Sequence, residues 1–301
     1  MAASRLLYHY CSTPVGLAIL QTRTFRLSAL SAANDSLEGR VLGRVFTRML
    51  DETDLPTEVV DVVSVIVEGY ADSTEGFALC LSERGDLLSQ WRAYAQDGSG
   101  VALGFSSDWL LKDFGEVNFG SQFFELTKVE YGEAGLLQTL KPLVDKLIEG
   151  FAEHGGFVQL RENMTREQAL KVMASSGVES KQVFTSKHEG GRDLMERLLD
   201  TLAPLHFKIY DTNPASFQEE CEWRLLRYRH RVALSDIEYF ADNRSIKPYI
   251  SCLIADPARE AIREVVLGPK HISKIDWVRA FLASVGLSHV VVKSSTIESY
   301  R

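Results

Sequence analysis

Leu6-Leu7-Tyr8-His9-Tyr10-Cys11 is an apolar and aromatic run broken only by one histidine. Leu7, His9 and Cys11 fall on one side of that run and Tyr8 and Tyr10 on the other, which predicts a first strand. Thr13-Pro14 then opens a short helix holding Leu17, Ile19 and Leu20. Phe25 and Leu27 alternate with Arg26 across Thr24–Ser28 and predict a second strand. Asn34-Asp35, with Glu38 three residues after Asp35, is a capping-box pattern in which short acceptors bond the free amides of a first helical turn. The helix it starts carries Leu37, Val41, Val45 and Met49 at helical spacing, and Asp61–Tyr70 predicts another. Phe77–Ser82 reads as a buried strand and Leu87–Ala95 as a short helix with Trp91 and Tyr94. Asp97–Gly100 reads as a turn, and Val101–Phe105 and Phe123–Tyr131 as strands.

Between about Leu136 and Leu205 the helical period dominates, broken by a glycine-bearing loop at Ser186–Gly191. Strand patterning resumes at Glu220–Arg227, and the last stretch reads strand, helix, strand at Arg263–Leu267, Ile275–Val285 and His289–Lys293. With no internal repeat or low-complexity tract, the pattern predicts one α+β domain over residues 1–301, a mixed sheet with a helical insertion at about 136–205.

Composition narrows the class without naming it. Hydrophobic residues make up 45% and charged residues 25%, ordinary for a globular chain. A net charge of −8 argues against a surface that binds nucleic acid all over, though not against a local basic groove. Cys11, Cys80, Cys221 and Cys252 are widely spaced with no CxxC, so neither a zinc site nor a redox pair is suggested. Reduced thiols and the lack of a visible signal peptide imply a cytoplasmic protein. No apolar run approaches the roughly 20 residues of a membrane helix.

The richest chemistry lies in Glu220-Cys221-Glu222-Trp223-Arg224. Read as a strand, it puts Glu220, Glu222 and Arg224 on one face and Cys221 and Trp223 on the other. Two close carboxylates repel, and an arginine beside them favours their ionised forms. Such a group can stabilise developing positive charge or take a proton, or it is simply a solvated strand face. Arg227, Arg229 and Arg231 follow as a basic run in an acidic chain, a candidate contact for a pyrophosphate or a nucleic-acid backbone. His9 is either a core histidine or a donor to a ribose. Trp91, Tyr94 and Tyr10 are core or a stacking surface. Ser82 is a turn residue or a site residue. Gly268-Pro269-Lys270-His271 is most simply a connecting turn, with amides that could meet a phosphate. There is no HExxH, GxSxG or GxxxxGK[ST].

Taken in order, Tyr8-His9-Tyr10, Asn34-Asp35 with Glu38, Cys80-Leu81-Ser82, Trp91 with Tyr94, Gly100–Phe105, Phe217 with Glu220–Arg224, Gly268-Pro269 and the ending Ser295–Arg301 resemble a bacterial domain-of-unknown-function family, number 2971. In that family a proline usually precedes the final Tyr-Arg; here Ser299 stands there. A more distant resemblance, to the ADP-ribosyltransferase fold, rests on His9, Ser82 and Glu222 in that order on matching element types. It implies an ADP-ribosyltransferase-like mixed β-sheet core and NAD as substrate. By this resemblance His9 holds the NAD ribose, Ser82 supports the site, Glu222 stabilises the oxocarbenium-like ribose and Glu220 orients or deprotonates the acceptor. Trp91, Tyr94 or Tyr10 covers the nicotinamide, and Arg224 and Arg227 meet the pyrophosphate. His9 and Glu222 should then open into one pocket. The acceptor would be protein, nucleic acid or a small molecule, and the bacterial spread suggests a toxin or phage-defence effector. The alternatives are a metal-dependent nucleic-acid-processing hydrolase using Glu220 and Glu222, and a non-catalytic nucleotide-binding or interaction module.

Overall fold

The computed structural model describes residues 5–32, 41–114, 124–154, 159–176, 183–185, 191–206, 208–230, 237–241 and 245–298. The capping-box residues Asn34, Asp35 and Glu38, the loop at 186–190, Arg231 and Ser299–Arg301 lie outside the described residues. The first strand, β1 (Leu6–Cys11), leads into α1 (Thr13–Thr22). Ser12 caps α1 by accepting from the Val15 amide, and Pro14 sits in its first turn, where a missing N–H costs nothing. Next come β2 (Thr24–Ala29), α2 (Val41–Asp51) and α3 (Thr57–Ser73), which runs straight into β3 (Thr74–Ser82). Then follow α4 (Leu88–Tyr94), β4 (Val101–Ser106), α5 (Ser107–Phe114), β5 (Phe124–Lys128) and β6 (Glu130–Tyr131). The insertion holds α6 (Glu133–His154), β7 (Gln159–Leu160), α7 (Arg166–Ser176), β8 (Phe184–Thr185) and α8 (Gly191–His206). The chain returns through β9 (Thr212–Asn213), β10 (Glu222–His230), β11 (Glu238–Ala241), β12 (Ile246–Leu253), β13 (Ile262–Leu267), α9 (Ile275–Ser284) and β14 (Val291–Ser294).

Ten strands form one mixed sheet that forks at β3. One edge of β3 is taken along its whole length by β10, from Glu222↔Ser82 to His230↔Thr74, and β5 lies beyond β10. The other edge is divided. Its middle pairs with β2 at Ser28↔Ala78 and Ala29↔Phe77, and its end pairs with β1 at Tyr8↔Ser82. One arm continues β2–β12–β11, the other β1–β4–β13–β14. Among the described residues, only β13 and β14 run parallel within this sheet. The α/β class and the large mixed sheet follow the sequence pattern, while β11, β12 and α5 are elements the pattern did not predict.

Alternation sends Leu7, Leu81, Leu103, Phe105 and Val265 to the main core, closed by α1, α5 and α9. The other face carries Tyr10, Ala102 and Val266 under Trp91 of α4, and Ala78, Leu226 and Tyr228 beside Tyr210. A separate core is built by α2, α3, α6, α7 and α8. The helical body therefore draws on two stretches of chain, not on residues 136–205 alone. Its helices approach closely: a Cβ on Gly69 of α3 would meet the Met173 methyl of α7 at 2.4 Å.

Candidate active site

Opposite residues on antiparallel strands project to the same side, so pairing register decides what can meet. Across five strands the register sets Glu264, Gly104, Tyr8, Ser82 and Glu222 in one row on the α4 side of the sheet. Gly104 leaves room for the Tyr8 hydroxyl to donate to Glu264 Oε1 at 3.1 Å, since a Cβ there would crowd both partners. Glu264 also takes Lys293 at 2.5 Å. Burial, with the Glu264 charge beside it, pushes the Tyr8 phenol up to about 12.

The sequence placed Glu220 in the same strand as Glu222, but the strand starts at Glu222. Glu220 closes a 3-10 turn, Ala215–Glu220, and Cys221 follows in the left-handed region at φ 46°. A residue with a Cβ pays roughly 1–2 kcal/mol for that conformation. It turns the chain so that Glu220 still comes close to Glu222. Ser82 fixes the arrangement: its hydroxyl donates to the Glu220 carbonyl at 2.7 Å and accepts from the Arg84 amide at 3.2 Å. The Tyr131 hydroxyl accepts from the Glu222 amide at 2.7 Å.

Glu222 and Arg224 form a buried clamp, 6% and 2% exposed. Arg224 donates Nε to Glu222 Oε1 and Nη2 to Oε2, each at 2.9 Å. The same guanidinium reaches the Tyr210 carbonyl at 2.8 Å and Asn213 Oδ1 at 3.2 Å. Asn213 in turn donates to Glu222 Oε2 at 3.0 Å. Asn213, Tyr131 and the Tyr210 carbonyl were not singled out from the sequence. They come from β6, β9 and the turn before β9, and only the fold brings them here.

Glu220 is the less constrained acid. Burial, reinforced by the Glu222 charge, raises its pKa from 4.5 to about 7, although Tyr94 donates to its Oε1 at 3.4 Å. A carboxyl with that value exchanges a proton near neutrality, while its neighbour is clamped by a guanidinium. Burial, and then the charges of Glu220, exposed Cys80 and Glu222, push the Tyr94 phenol up.

The raised pKa has a consequence for stability. The folded protein favours the neutral Glu220 acid, so its contribution is complete below pH 4.5 and is lost as pH rises through about 7. Glu220→Gln should therefore gain about 1 kcal/mol on the native protein at pH 8.5, after solvent screening is allowed for, and nothing at pH 4. Urea midpoints at the two pH values check this; a pH-independent difference would contradict it.

The other expected site residues are dispersed. His9 pairs with Leu103 and leaves the sheet on the core face, opposite to Glu222. Its Nδ1 donates to the Cys80 carbonyl at 3.0 Å, and burial holds its pKa below the usual value. The shared pocket of His9 and Glu222 is thus not formed. Tyr10 is buried, with its hydroxyl donating to the Arg84 carbonyl at 2.7 Å, accepting from Leu87 at 2.9 Å, and its ring edge-on to Trp91. Trp91 is fully buried and donates to Asp86 at 2.7 Å, so neither ring is open to stack on a ligand. Tyr94, 47% exposed, remains at the acid pair. Arg227 is buried on the core face, 5.3 Å over the Phe124 ring, and cannot join Arg224 on a pyrophosphate. Arg229 is half-buried and pairs in register with Glu75.

Among the described residues no group of three or more His, Cys, Asp or Glu side chains could hold a metal. Among them, too, no helix is long and apolar enough to cross a membrane. No curated protein and no solved structure matches the chain. One family model does, over a segment that begins within α4 and ends in β10. Residues 90–225, which contain Tyr94, Tyr131, Asn213, Glu220, Glu222 and Arg224, match the model of the family described as "Protein of unknown function (DUF2971)".

Proposed function

We propose that Glu220 and Glu222 act on the N-glycosidic bond of a nucleotide, with NAD as donor and ADP-ribosyl transfer as the reaction. The observation that carries this reading is the contrast within the pair. Glu222 is fixed by Arg224 and Asn213, and Glu220 titrates near neutrality. When the bond to nicotinamide breaks, its electron pair leaves with nicotinamide and the ribose becomes oxocarbenium-like. Glu222 Oε1, which takes only the Arg224 Nε among the hydrogen bonds above, would bond a ribose hydroxyl and stabilise that charge. An acceptor O–H or N–H would then bond to the ribose carbon as its proton passes to Glu220. Tyr94 would present its ring to the nicotinamide. His9, Tyr10, Trp91 and Arg227 have no part, and Ser82 acts by positioning Glu220. The reading takes over from the resemblance an ADP-ribosyltransferase-like core without its His9, and a toxin or phage-defence effector is the setting such an activity would suit.

The test is incubation with NAD labelled in the adenylate, alone and with cell lysate. Nicotinamide release and transfer of label to protein, nucleic acid or a small molecule are expected. Glu220→Gln should lose transfer more than nicotinamide release, and its rate should lose the rise near pH 7.

A second reading has its own support. Both Glu222 oxygens are already bonded inside the protein. On that reading the clamp is structural and the chain binds a nucleotide without consuming it. Saturable NAD binding with the dinucleotide intact after hours would favour it.

A further inference from the structure

On the core side of the sheet, opposite to the acid pair, a cavity of about 270 Å³ lies between α1 and α9. We propose that it is a second binding site, for a small amphipathic carboxylate whose apolar tail fills the cavity and whose head rests at the entrance to α9. Leu17 and Leu20 of α1, Val265 and Leu267 of β13, and Val278 and Phe281 of α9 form apolar walls. A dry cavity of about 150 Å³ with such a lining holds benzene, so this one accommodates a ring with a side chain or a short alkyl chain. Its lining also reaches solvent through apolar side chains: Leu17 is 41% exposed and Trp277 69%.

Apart from Thr13, whose hydroxyl is spent on the Ser99 carbonyl at 3.0 Å, the polar lining comes from one wall, His271 and Ser273. That wall is held in place. Gly268 donates to Gly100 O at 3.0 Å, Lys270 to Gly98 O at 2.9 Å, and a Cβ on Gly268 would strike Gly98 O at 2.3 Å. His271 Nδ1 accepts from the Ser273 amide at 3.2 Å, and burial lowers the ring's pKa. The neutral ring therefore carries its proton on Nε2, a donor for a ligand oxygen. The wall leads into α9, whose first turn has no side-chain cap, and Lys274 stands there 5.7 Å from the Trp277 ring. Donors and the Lys274 charge thus gather on the wall that borders an otherwise apolar cavity, while Asp276 in the same turn is paired with Arg279 at 3.4 Å. That combination fits an anion with a hydrocarbon tail better than a neutral hydrocarbon.

The experiment uses octanoate as probe, read by titration calorimetry and by Trp277 fluorescence, with Trp277→Phe identifying the reporting ring. Saturable binding is expected, about fivefold tighter than octan-1-ol. It should tighten about threefold per methylene from hexanoate until the cavity is full. Val278→Phe should abolish it by filling the space. Leu17→Glu, at a wall position 41% exposed, should weaken octanoate more than octan-1-ol, because both lose apolar contact and only the anion also meets a like charge. No saturable binding, or binding indifferent to both a folded Val278→Phe and Leu17→Glu, overturns the site. Octan-1-ol binding as tightly as octanoate overturns the carboxylate.

Discussion

Arg224→Ala is expected to destabilise the protein by about 3–5 kcal/mol, the cost of leaving a buried carboxylate without its partner. The guanidinium is 2% exposed and bonds Glu222, the Tyr210 carbonyl and Asn213, so its loss strands acceptors from three parts of the chain. Set against a total of about 5–15 kcal/mol for a typical domain, the variant should melt at markedly lower urea or fail to accumulate in folded form. The comparison that isolates the clamp is a double-mutant cycle. Glu222→Leu with Arg224→Met removes both charges at once and should recover most of the lost stability, because an apolar pair needs no compensating partner. Urea unfolding of the two singles and the double measures the coupling. A double variant as unstable as the sum of the singles would show that the two side chains do not act as a unit.

The second large effect is on turnover. If NAD is the donor, Glu222→Gln should lower nicotinamide release by about a hundred- to a thousandfold, the usual cost of removing one preorganised group that meets charge in the transition state. The loss should fall on kcat rather than KM, since the carboxylate is asked to act on the oxocarbenium-like ribose and not on ground-state NAD. An amide at this position turns N–H toward the guanidinium, so folded protein must be checked by circular dichroism at the assay temperature. Full NAD turnover by folded Glu222→Gln ends the transferase reading.

The strands and helices that bury an alternating or periodic apolar face were legible in the sequence, and β1, β3 and β13 lie within a residue or a few of where the pattern put them. β12 hid because Pro248 interrupts it and Ile246 and Leu253 face solvent. The fork at β3 was not legible, since nothing local says that one strand edge will be shared by β2 and β1. Part of the site could have been corrected from spacing alone. Arg224 and Arg227 are an odd number of residues apart in one strand, so they had to leave it on opposite faces. His9, by contrast, is excluded from the row only once the Tyr8↔Ser82 pairing is known, since it lies one residue from Tyr8 and so on the opposite face. Trp91 and Tyr94, three apart on a helix, were expected to share a fate, yet one is enclosed beside Tyr10 and the other opens onto Glu220. The Glu220–Glu222 pairing was anticipated on a wrong premise: a turn through Cys221, not a strand, brings the acids together.

The position of β1 within the sheet bears on how the chain is made. It is held between β3 and β4, from Tyr8↔Ser82 on one side to Cys11↔Val101 on the other. A ribosome must therefore add some ninety further residues before both edges of that segment can be covered. Until then its tyrosines and leucines present open backbone to other nascent chains. Protection by a chaperone during translation, more than the equilibrium strength of the finished sheet, should govern how much usable protein a cell recovers.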